Sequence, residues 1–269
     1  MSGYTHGHAE SVLRSHRSRT AANSAAYLLP HLTAGQCLLD VGSGPGTITA
    51  DLAAIVGEVV ALEVSDEAAA LTRAGAPGVD VRVGDVHALP FDDGRFDVVH
   101  AHQVLQHVAD PVRALREMAR VTRNGGVVAA RDSDYATFAW WPRPPELDRW
   151  LELYAAAARS NGGEPDAGRR LLSWAHAAGL TDVTASSSTW CYATPETREW
   201  WGSMWADRIV GSALAEQLVR EGRATTDELT AIADAWRRWA ADPDGWFSVH
   251  HGEVLCNRFV CESAVQIPG

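Results

Sequence analysis

Lysine is absent from this chain. All 23 basic residues are arginine, they are set against 34 aspartate and glutamate residues, and the formal net charge is −11. Nucleic acids and anionic membrane surfaces bind proteins through clustered positive charge. The charge balance therefore predicts that neither a nucleic acid nor a membrane is a partner of this protein.

Long hydrophobic runs and paired cysteines are also missing. No stretch of about 18 consecutive apolar residues occurs, and the opening MSGYTHGHAESVLRSHRSRT has no apolar segment of the kind that directs secretion. A cytoplasmic location is the expectation. The four cysteines, at 37, 191, 256 and 261, form no CxxC pair, which favours reduced, structural thiols over a redox or metal site.

In the first half of the chain, short β-branched and apolar runs alternate with helical patterns, which predicts βαβ units and a parallel sheet. The predicted strands cover residues 36–41, 58–63, 79–83, 96–101 and 126–131. The predicted helices are TITADLAAIVG, SDEAAALTRAG and DPVRALREMARVTRNGG, of which the last begins at Asp110 and Pro111 and is closed by Gly125.

Tryptophan is absent from the first 139 residues, and all 11 tryptophans lie between residues 140 and 246. Prolines at 142, 144 and 145 interrupt the chain at this change, which indicates a second layer. Helices are predicted at about 145–160 and 166–178, after Thr194, and after the capping pair Thr225 and Glu228. Strands are predicted at DVTASSSTWCYA and WFSVHHGEVLCNRFVCES.

The stretch LLDVGSGPGTIT, residues 38–49, carries the pattern DxGxGxG at Asp40, Gly42, Gly44 and Gly46, with Ser43 inside the turn. Alternate glycines let the backbone approach a small ligand closely, and the aspartate can hold an ammonium or hydroxyl group. S-adenosylmethionine offers both groups. A dinucleotide fingerprint would have glycine at the sixth position counted from the first glycine, where this chain has threonine.

An acidic residue lies at the end of the second predicted strand, and another lies just beyond the third. Glu63 can accept hydrogen bonds from the two hydroxyls of a ribose, and Val64 can cover an adenine face. Asp85 can accept a proton from the adenine amino group, while the amide of Val86 meets a ring nitrogen. These residues complete a predicted nucleoside site.

The motifs DVGSGPG, Glu63, GDVHALPF and FDVVHAHQVLQHVADPVRALREMARVTRNGG resemble, in order, those of class I S-adenosylmethionine-dependent methyltransferases. They are most similar to the small-molecule group that includes the ubiquinone and menaquinone biosynthetic enzymes. The resemblance covers roughly residues 30–135. Asn124 departs from it, because the family usually has proline before the paired glycines, and this touches only a helix-to-strand turn.

The resemblance implies an α/β fold: a Rossmann-like, seven-stranded, mostly parallel sheet whose last strand is antiparallel, with helices on both faces and helical cap insertions. The expected organisation is a helical lid at 1–30 and a cofactor-binding core at 31–135. The remainder, 136–269, should carry a tryptophan-rich substrate cap over about 136–165 and 195–242. The implied cofactor is S-adenosylmethionine, with S-adenosylhomocysteine as product, and no metal is expected.

Histidines supply the candidate catalytic groups. His102 and Gln103 end the fourth predicted strand and His107 follows it, a segment that the resemblance places beside the methionine part of the cofactor, so all three are candidate cofactor contacts. Gln103 and His107 are predicted near the transferred methyl group. His107 or His8 could act as a base if the acceptor is a hydroxyl or an enolisable carbon. No cysteine or carboxylate completes a zinc spacing around the histidines.

The candidate acceptor-binding residues are Tyr4, Trp140, Trp141, Trp201 and Arg131. Aromatic walls suit an apolar or aromatic acceptor, although tryptophans at helical spacing can equally be ordinary packing, Arg131 can be held in an ion pair, and the N-terminal segment can be a frayed tail.

The predicted function is transfer of the methyl group, by in-line displacement, to a small apolar or aromatic molecule. The acceptor atom stays open between carbon, nitrogen and oxygen, and a homo-oligomer is possible. The alternatives are a nucleotide-dependent oxidoreductase on a similar sheet and a non-catalytic S-adenosylmethionine-binding protein.

Overall fold

The computed structural model describes residues 10–258, with side chains from residue 13 onward. Across that range every helix falls short of the length and apolarity that a bilayer crossing needs. The strands are β1 (Cys37–Val41), β2 (Glu58–Glu63), β3 (Asp80–Val83), β4 (Phe96–His102), β5 (Thr122–Ser133), β6 (Ala139–Trp141), β7 (Asp182–Tyr192) and β8 (Trp246–Asn257). The helices are α1 (Glu10–Arg17), α2 (Ala21–Ser24), α3 (Thr47–Ala53), α4 (Asp66–Gly75), α5 (Pro111–Val121), α6 (Pro145–Ser160), α7 (Leu171–Ala177), α8 (Pro195–Gly211), α9 (Ala213–Arg220) and α10 (Thr226–Ala241).

The sheet has the strand order β3-β2-β1-β4-β5-β8-β7. Strands β1 to β5 are parallel, and β8 runs antiparallel between β5 and β7. This arrangement confirms the predicted fold class. The short β6 adds one strand that the sequence did not predict, paired antiparallel with the first residues of β8.

Side chains of β1 and β4 alternate between the two faces of the sheet, as strand geometry requires. Leu38 and Val98 are register partners and pack with residues of α2 and α3, whereas Leu39 and Val99 face α5 and α7. Both faces of the central strands are therefore covered. The strand order reverses at β1, which pairs with β2 on one edge and β4 on the other, and ligands of open α/β sheets bind at the carboxyl ends of strands at such a point.

The helix predicted from Asp110 begins there, since Asp110 caps it and Pro111 is its first residue. The prediction that Gly125 closes this helix was wrong. It ends at Val121, because Thr122 is already extended and begins β5. The residues up to 126 begin β5 instead, and a register shift in the pairing with β4 accommodates them.

In the second half, the predicted helix over 145–160 and the helix starts at Thr194 and Thr225 are confirmed. The helix predicted over 166–178 is shorter and follows a 3-10 turn at 168–170. The predicted last strand is present up to Asn257, and its remaining residues, with Cys261, lie outside the described part of the chain. The other cysteines carry free thiols.

Most of the tryptophans form an aromatic core of their own, between the helices that follow β5. Trp150 of α6 lies at its centre, with ring centroids 4.5 Å from Trp205 of α8 and 5.0 Å from Trp236 of α10. Phe247 of β8 also belongs to this core. These residues form a hydrophobic core separate from that of the sheet. Each buried aromatic side chain in it stabilises the fold by roughly 1.5–3 kcal/mol.

Candidate active site

A cavity of about 620 Å³ lies at the carboxyl ends of β1, β2 and β4, beside α1 and α8. Two sets of residues line it. The glycine-turn half includes these residues from the edge of the sheet: Asp40, Gly42, Ser43, Gly44, Glu63, Val64, Asp85, Val86, His87, His102, Gln103, Val104 and His107. The aromatic half includes these residues from the N-terminal segment and from the chain after β5: Leu13, Ser15, His16, Arg19, Tyr135, Phe138, Trp190, Tyr192, Trp200, Trp201, Trp205 and Arg208.

The turn between β1 and α3 takes the shape that its glycines allow. Gly44 has a φ of 57° and Gly46 a φ of 80°, both in the left-handed region that favours glycine. A Cβ on Gly44 would meet no heavy atom of the described residues within 4 Å, and Gly44 borders the cavity. Gly46, predicted as a cofactor contact, is the N-cap residue of α3 and packs against α4, away from the cavity.

The side chain of Asp40 belongs to a buried hydrogen-bond network at the base of this turn. One carboxylate oxygen accepts from the Thr49 hydroxyl at 2.6 Å, and the other pairs with Nδ1 of His100 at 2.8 Å. Both partners are fully buried. The network fixes the carboxylate beside the cavity, and each oxygen keeps a lone pair for a further donor.

Glu63 links the end of β2 to the glycine turn. Its Oε1 accepts a hydrogen bond from the Gly44 amide, and its Oε2 accepts from the Val64 amide at 3.2 Å. Only 7% of Glu63 is exposed, and it lines the cavity. The same carboxylate therefore sets the shape of the turn and lies on the cavity wall, where ligand hydroxyls could donate to it.

The far end of the glycine-turn half forms a slot for a flat group. Asp85 accepts hydrogen bonds from the His87 amide at 2.9 Å and pairs with the His87 ring at 2.7 Å. The amide bond is the main cause that lowers the pKa of Asp85, so this carboxylate stays ionised. Val64 and the buried Val86 supply apolar surface beside it.

The hydrogen-bond acceptors and apolar side chains of this half fit a sulfonium nucleoside. A ribose needs a paired acceptor such as Glu63, an adenine amino group needs an acceptor such as Asp85, and the adenine faces need apolar cover. Gly44 leaves the space that a close ligand would require. Within the described part of the chain, no three histidine, cysteine or acidic side chains are grouped so as to hold a metal ion.

Gln103 lies at the junction of the two halves with a φ of 54°, a left-handed conformation that is rare outside glycine. The side-chain Oε1 of Gln103 accepts a hydrogen bond from Arg19 at 2.6 Å. Its side-chain Nε2 lies 2.8 Å from the Ser133 hydroxyl and 2.9 Å from Nε2 of His251. The side chain is therefore held by the protein and ties the N-terminal segment to the sheet.

His107 lies nearby in the turn after β4, where its Nε2 is 2.9 Å from the amide nitrogen of Gln106. Burial, with a smaller contribution from Arg19, lowers the pKa of His107 to about 3. The imidazole is consequently neutral at physiological pH, and its proton affinity in this state is low.

His102 is buried at the end of β4, with 6% of its surface exposed, and it borders the cavity. Among the residues that the structure describes, none is a hydrogen-bond partner of either ring nitrogen. Burial first, and then the positive charges of Arg131 and Arg19, hold the pKa of His102 well below its usual value.

The predicted acceptor-binding residues are only partly brought together. Trp201 lines the aromatic half, whereas Trp140 stacks on Phe247 inside the aromatic core and Trp141 is 62% exposed on the outer surface. Arg131 does not line the cavity. Tyr4 and His8 lie outside the described residues.

Arg131 is buried in an ion pair and contacts Trp190, a residue of the cavity wall. It lies 3.2 Å from Glu253, donates to the Ser188 hydroxyl, and its guanidinium is 4.9 Å from the ring centroid of Trp190. The Trp190 ring forms part of the wall. Arg131 thus positions an aromatic wall residue.

Several residues of the aromatic half were not identified from the sequence. Trp190 and Tyr192 alternate along β7, so both lie on one face, and this period of two was a usable signal. Trp200 and Trp205 belong to α8, which was predicted. Nothing in the sequence marks Arg19, whose role depends on the path of the N-terminal segment.

Comparisons with known proteins agree with this geometry. A family model described as a methyltransferase domain matches residues 39–130. The chain is 34% identical over 267 residues to an uncharacterized methyltransferase of Schizosaccharomyces pombe, with 94% of this chain and 95% of that protein covered. It is 38% identical to a demethylmenaquinone methyltransferase of Renibacterium salmoninarum over 49% of this chain and 56% of that protein.

Among solved structures, one similar fold is phosphoethanolamine N-methyltransferase 2 of Haemonchus contortus, in complex with phosphomonomethylethanolamine and S-adenosylhomocysteine. The TM-score is 0.55 at 16% identity, with 87% of this chain and 52% of that chain covered. This likeness is one of fold.

Proposed function

Because the chain belongs to the S-adenosylmethionine-dependent methyltransferases, we propose that it methylates a small apolar or aromatic molecule held in the aromatic half of the cavity. One observation carries the proposal: a single cavity joins the glycine-turn half to a wall of tryptophan and tyrosine side chains. Aromatic walls with few polar groups are typical of sites for small organic ligands. The net charge of −11 disfavours a nucleic-acid acceptor.

S-adenosylmethionine, when bound, supplies an electrophilic methyl group on a positively charged sulfur. In our proposal Glu63 holds the ribose hydroxyls, Asp85 the adenine amino group, and the turn at Gly42 to Gly44 lies against the methionine part, with Asp40 as the acceptor for its ammonium group. The three carboxylates all lie in the glycine-turn half, so they favour the positively charged cofactor over its neutral product.

The chain's main catalytic contribution is placement of the acceptor. Holding two reactants in line can supply on the order of 7–11 kcal/mol, which exceeds what a general base usually adds. Tyr192 and Trp201 are stacked 4.4 Å apart and form a flat wall beside α8. We propose that this wall orients the acceptor, with Gln103 and His107 near the reacting groups.

We further propose that the N-terminal segment, residues 1–30, acts as a lid and that the helices after β5 select the acceptor. In the described part of the lid, the Ser15 hydroxyl accepts from Arg208 of α8 at 2.9 Å, and the His16 carbonyl oxygen accepts from the Thr47 hydroxyl at 3.4 Å. Arg19 reaches Gln103 at 2.6 Å. These bonds connect the lid to both halves, which would exclude water during the reaction.

The test is calorimetric titration of the protein with S-adenosylmethionine, S-adenosylhomocysteine and NAD. We expect binding of the first two and none of NAD. Glu63→Gln should weaken S-adenosylhomocysteine binding roughly 10- to 100-fold, since hydrogen bonds to charged groups contribute about 1.5–3 kcal/mol. Glu58→Gln is the matched control, because Glu58 begins the same strand but is exposed and paired with Arg95.

Methyl transfer itself is tested with methyl-labelled S-adenosylmethionine and a fractionated extract of small metabolites. Label should appear in an organic product of low molecular mass. Tight cofactor binding without labelled product in any fraction would support a non-catalytic binding protein, and binding of NAD alone would support an oxidoreductase.

A further inference from the structure

The charged residues of the cavity are divided between its two halves. Among the described residues that line it, the carboxylates are Asp40, Glu63 and Asp85, and all three belong to the glycine-turn half. The arginines are Arg19 and Arg208, and both belong to the aromatic half. The proposed function accounts for the carboxylates, which face a positively charged cofactor, but it assigns no ligand to the two guanidinium groups.

Arg19 lies where the two halves meet. Its guanidinium donates to Oε1 of Gln103 at 2.6 Å, and its Cζ is 5.9 Å from the ring centroid of Trp190. The residue is half-buried and lines the cavity. A guanidinium carries five N–H groups in one plane. One side chain can therefore hold Gln103 and contact a ligand in the cavity at the same time.

The positive charge of these arginines reaches the aromatic wall. Burial raises the pKa of Tyr135. A hydrogen bond with Tyr154, and then the positive charges of Arg208 and Arg19, act on that pKa in the opposite sense. Burial also raises the pKa of Tyr192, against the charge of Arg19. Both Tyr135 and Tyr192 line the cavity, so the arginines place a positive potential at the wall that holds the acceptor.

A bound sulfonium adds a further positive charge to this cavity. Interactions between charges become stronger where water is excluded, as the lid is proposed to do. A neutral acceptor does nothing to offset the repulsion between the sulfonium and Arg19. An anionic group on the acceptor attracts both of them, so it favours the complex in which cofactor and acceptor are bound together.

We propose that the acceptor is an aromatic molecule that carries an anionic oxygen group, a carboxylate or a phosphate, and that Arg19 binds this group. Arg208, which is 4% exposed and lies 4.7 Å from the ring centroid of Trp205, adds to the positive potential around it. This inference rests on the proposed function and adds to it the class of acceptor and a residue that determines specificity. The anionic group is separate from the atom that receives the methyl group, because a guanidinium bound to the reacting atom would hold the electron pair that forms the new bond.

The experiment measures binding of 1-naphthoate, 1-naphthyl phosphate and the neutral 1-naphthamide to protein saturated with S-adenosylhomocysteine. Wild-type protein should bind at least one of the anions about tenfold or more tightly than the amide, as expected for hydrogen bonds to a charged group, and the tighter anion identifies a carboxylate or a phosphate. Arg19→Gln should abolish the preference, and Arg19→Lys should keep part of it, since lysine retains the charge. Arg237→Gln is the matched control, because Arg237 is exposed on α10, pairs with Asp234 and does not line the cavity.

The preference is a ratio of affinities measured on one sample, so a smaller folded fraction in a variant does not change it. In wild-type protein labelled with 15N-arginine, the Nε signal of Arg19, assigned with Arg19→Lys, should shift on addition of the preferred anion and shift less with naphthamide. The inference is overturned if the wild type prefers neither anion, including the case in which none of the three compounds binds. It is also overturned if Arg19→Gln keeps the preference or if the Arg19 signal does not respond to the anion. Absence of S-adenosylhomocysteine binding in the first step would instead contradict the proposed function.

Discussion

Alanine at Gly44 and alanine at Gly46 should affect different properties, although both glycines belong to one turn. At Gly44 the added Cβ meets no heavy atom within 4 Å in the part of the chain that the structure describes, and the position borders the cavity. At Gly46 the added Cβ would lie 2.8 Å from the Thr72 carbonyl oxygen and 3.2 Å from the Ala76 Cβ. The first methyl group occupies space open to a ligand, and the second occupies space that α4 and the residue after it already fill.

The magnitudes follow from these two environments. A residue other than glycine at positive φ costs roughly 1–2 kcal/mol, and this applies at both positions. Overpacking typically adds about 1–3 kcal/mol, but only at Gly46, because the clashing atom there is helix backbone that cannot rotate away. We therefore expect the free energy of unfolding to fall by about 1–2 kcal/mol in Gly44→Ala and by about 2–5 kcal/mol in Gly46→Ala.

Affinity for S-adenosylhomocysteine should show the opposite order. In Gly44→Ala the methyl group competes with the ligand, and overpacking of about 1–3 kcal/mol corresponds to a loss of at least roughly fivefold in affinity. In Gly46→Ala the folded fraction should bind nearly as wild type does. Urea unfolding without ligand and calorimetric titration with S-adenosylhomocysteine measure the two quantities. Wild-type affinity in Gly44→Ala, or equal unfolding free energies in the two variants, would refute this reasoning.

Three further predictions concern stability. Arg131→Met should lower the free energy of unfolding by about 3–5 kcal/mol, since it leaves Glu253 charged and buried, and adding Glu253→Leu should recover much of the loss in urea unfolding. Trp150→Ala should cost about 3–5 kcal/mol, and a smaller loss would mean that the aromatic core collapses around the gap. Two buried groups titrate in opposite senses. The lowered pKa of His107, about 3, makes its contribution to stability fall as pH drops below its unfolded value. The pKa of Asp132, raised by burial to about 7, makes its contribution fall as pH rises towards that value. As pH rises from about 5.5 to about 7.5, Asp132 should lower the free energy of unfolding of the wild type by about 2 kcal/mol, and His107 should raise it by about 1 kcal/mol. Asp132→Asn should remove the first change and His107→Gln the second. Unchanged pH profiles in urea unfolding would contradict both assignments.

Strands β1, β2 and β4 were predictable because they are short apolar runs bounded by turn residues, and local sequence decides such elements. The error at Gly125 has a non-local cause: the helix ends at Val121, and Thr122 is extended and pairs with Phe96 of β4. Helix propensity does not register a pairing with another strand. The short β6 was missed because it is a strand only through its pairing with β8, and that pairing joins segments about a hundred residues apart.

In the site, the sequence indicated residues whose function follows from their place in a strand-to-turn motif. Asp40, Glu63 and Asp85 all reach the cavity, since each lies at or just beyond the carboxyl end of a parallel strand and these ends share one edge of the sheet. Trp140 and Arg131 could not be assigned in this way. Whether a tryptophan after β5 faces the cavity or the aromatic core depends on the packing of helices on one another, which a single sequence does not specify.

The two hydrophobic cores support different parts of the candidate active site. The carboxylates that we assign to the cofactor stand on the sheet, whose core is aliphatic, while Tyr192 and Trp201 of the acceptor wall pack against the aromatic core. Changes within the aromatic core can therefore move the acceptor wall while leaving the glycine turn in place. Gln103 is where the two parts join, because its single amide holds Arg19 of the N-terminal segment, Ser133 of β5 and His251 of β8 at once. That shared position explains why a residue other than glycine is retained in a left-handed conformation there: three hydrogen bonds offset a backbone cost of roughly 1–2 kcal/mol.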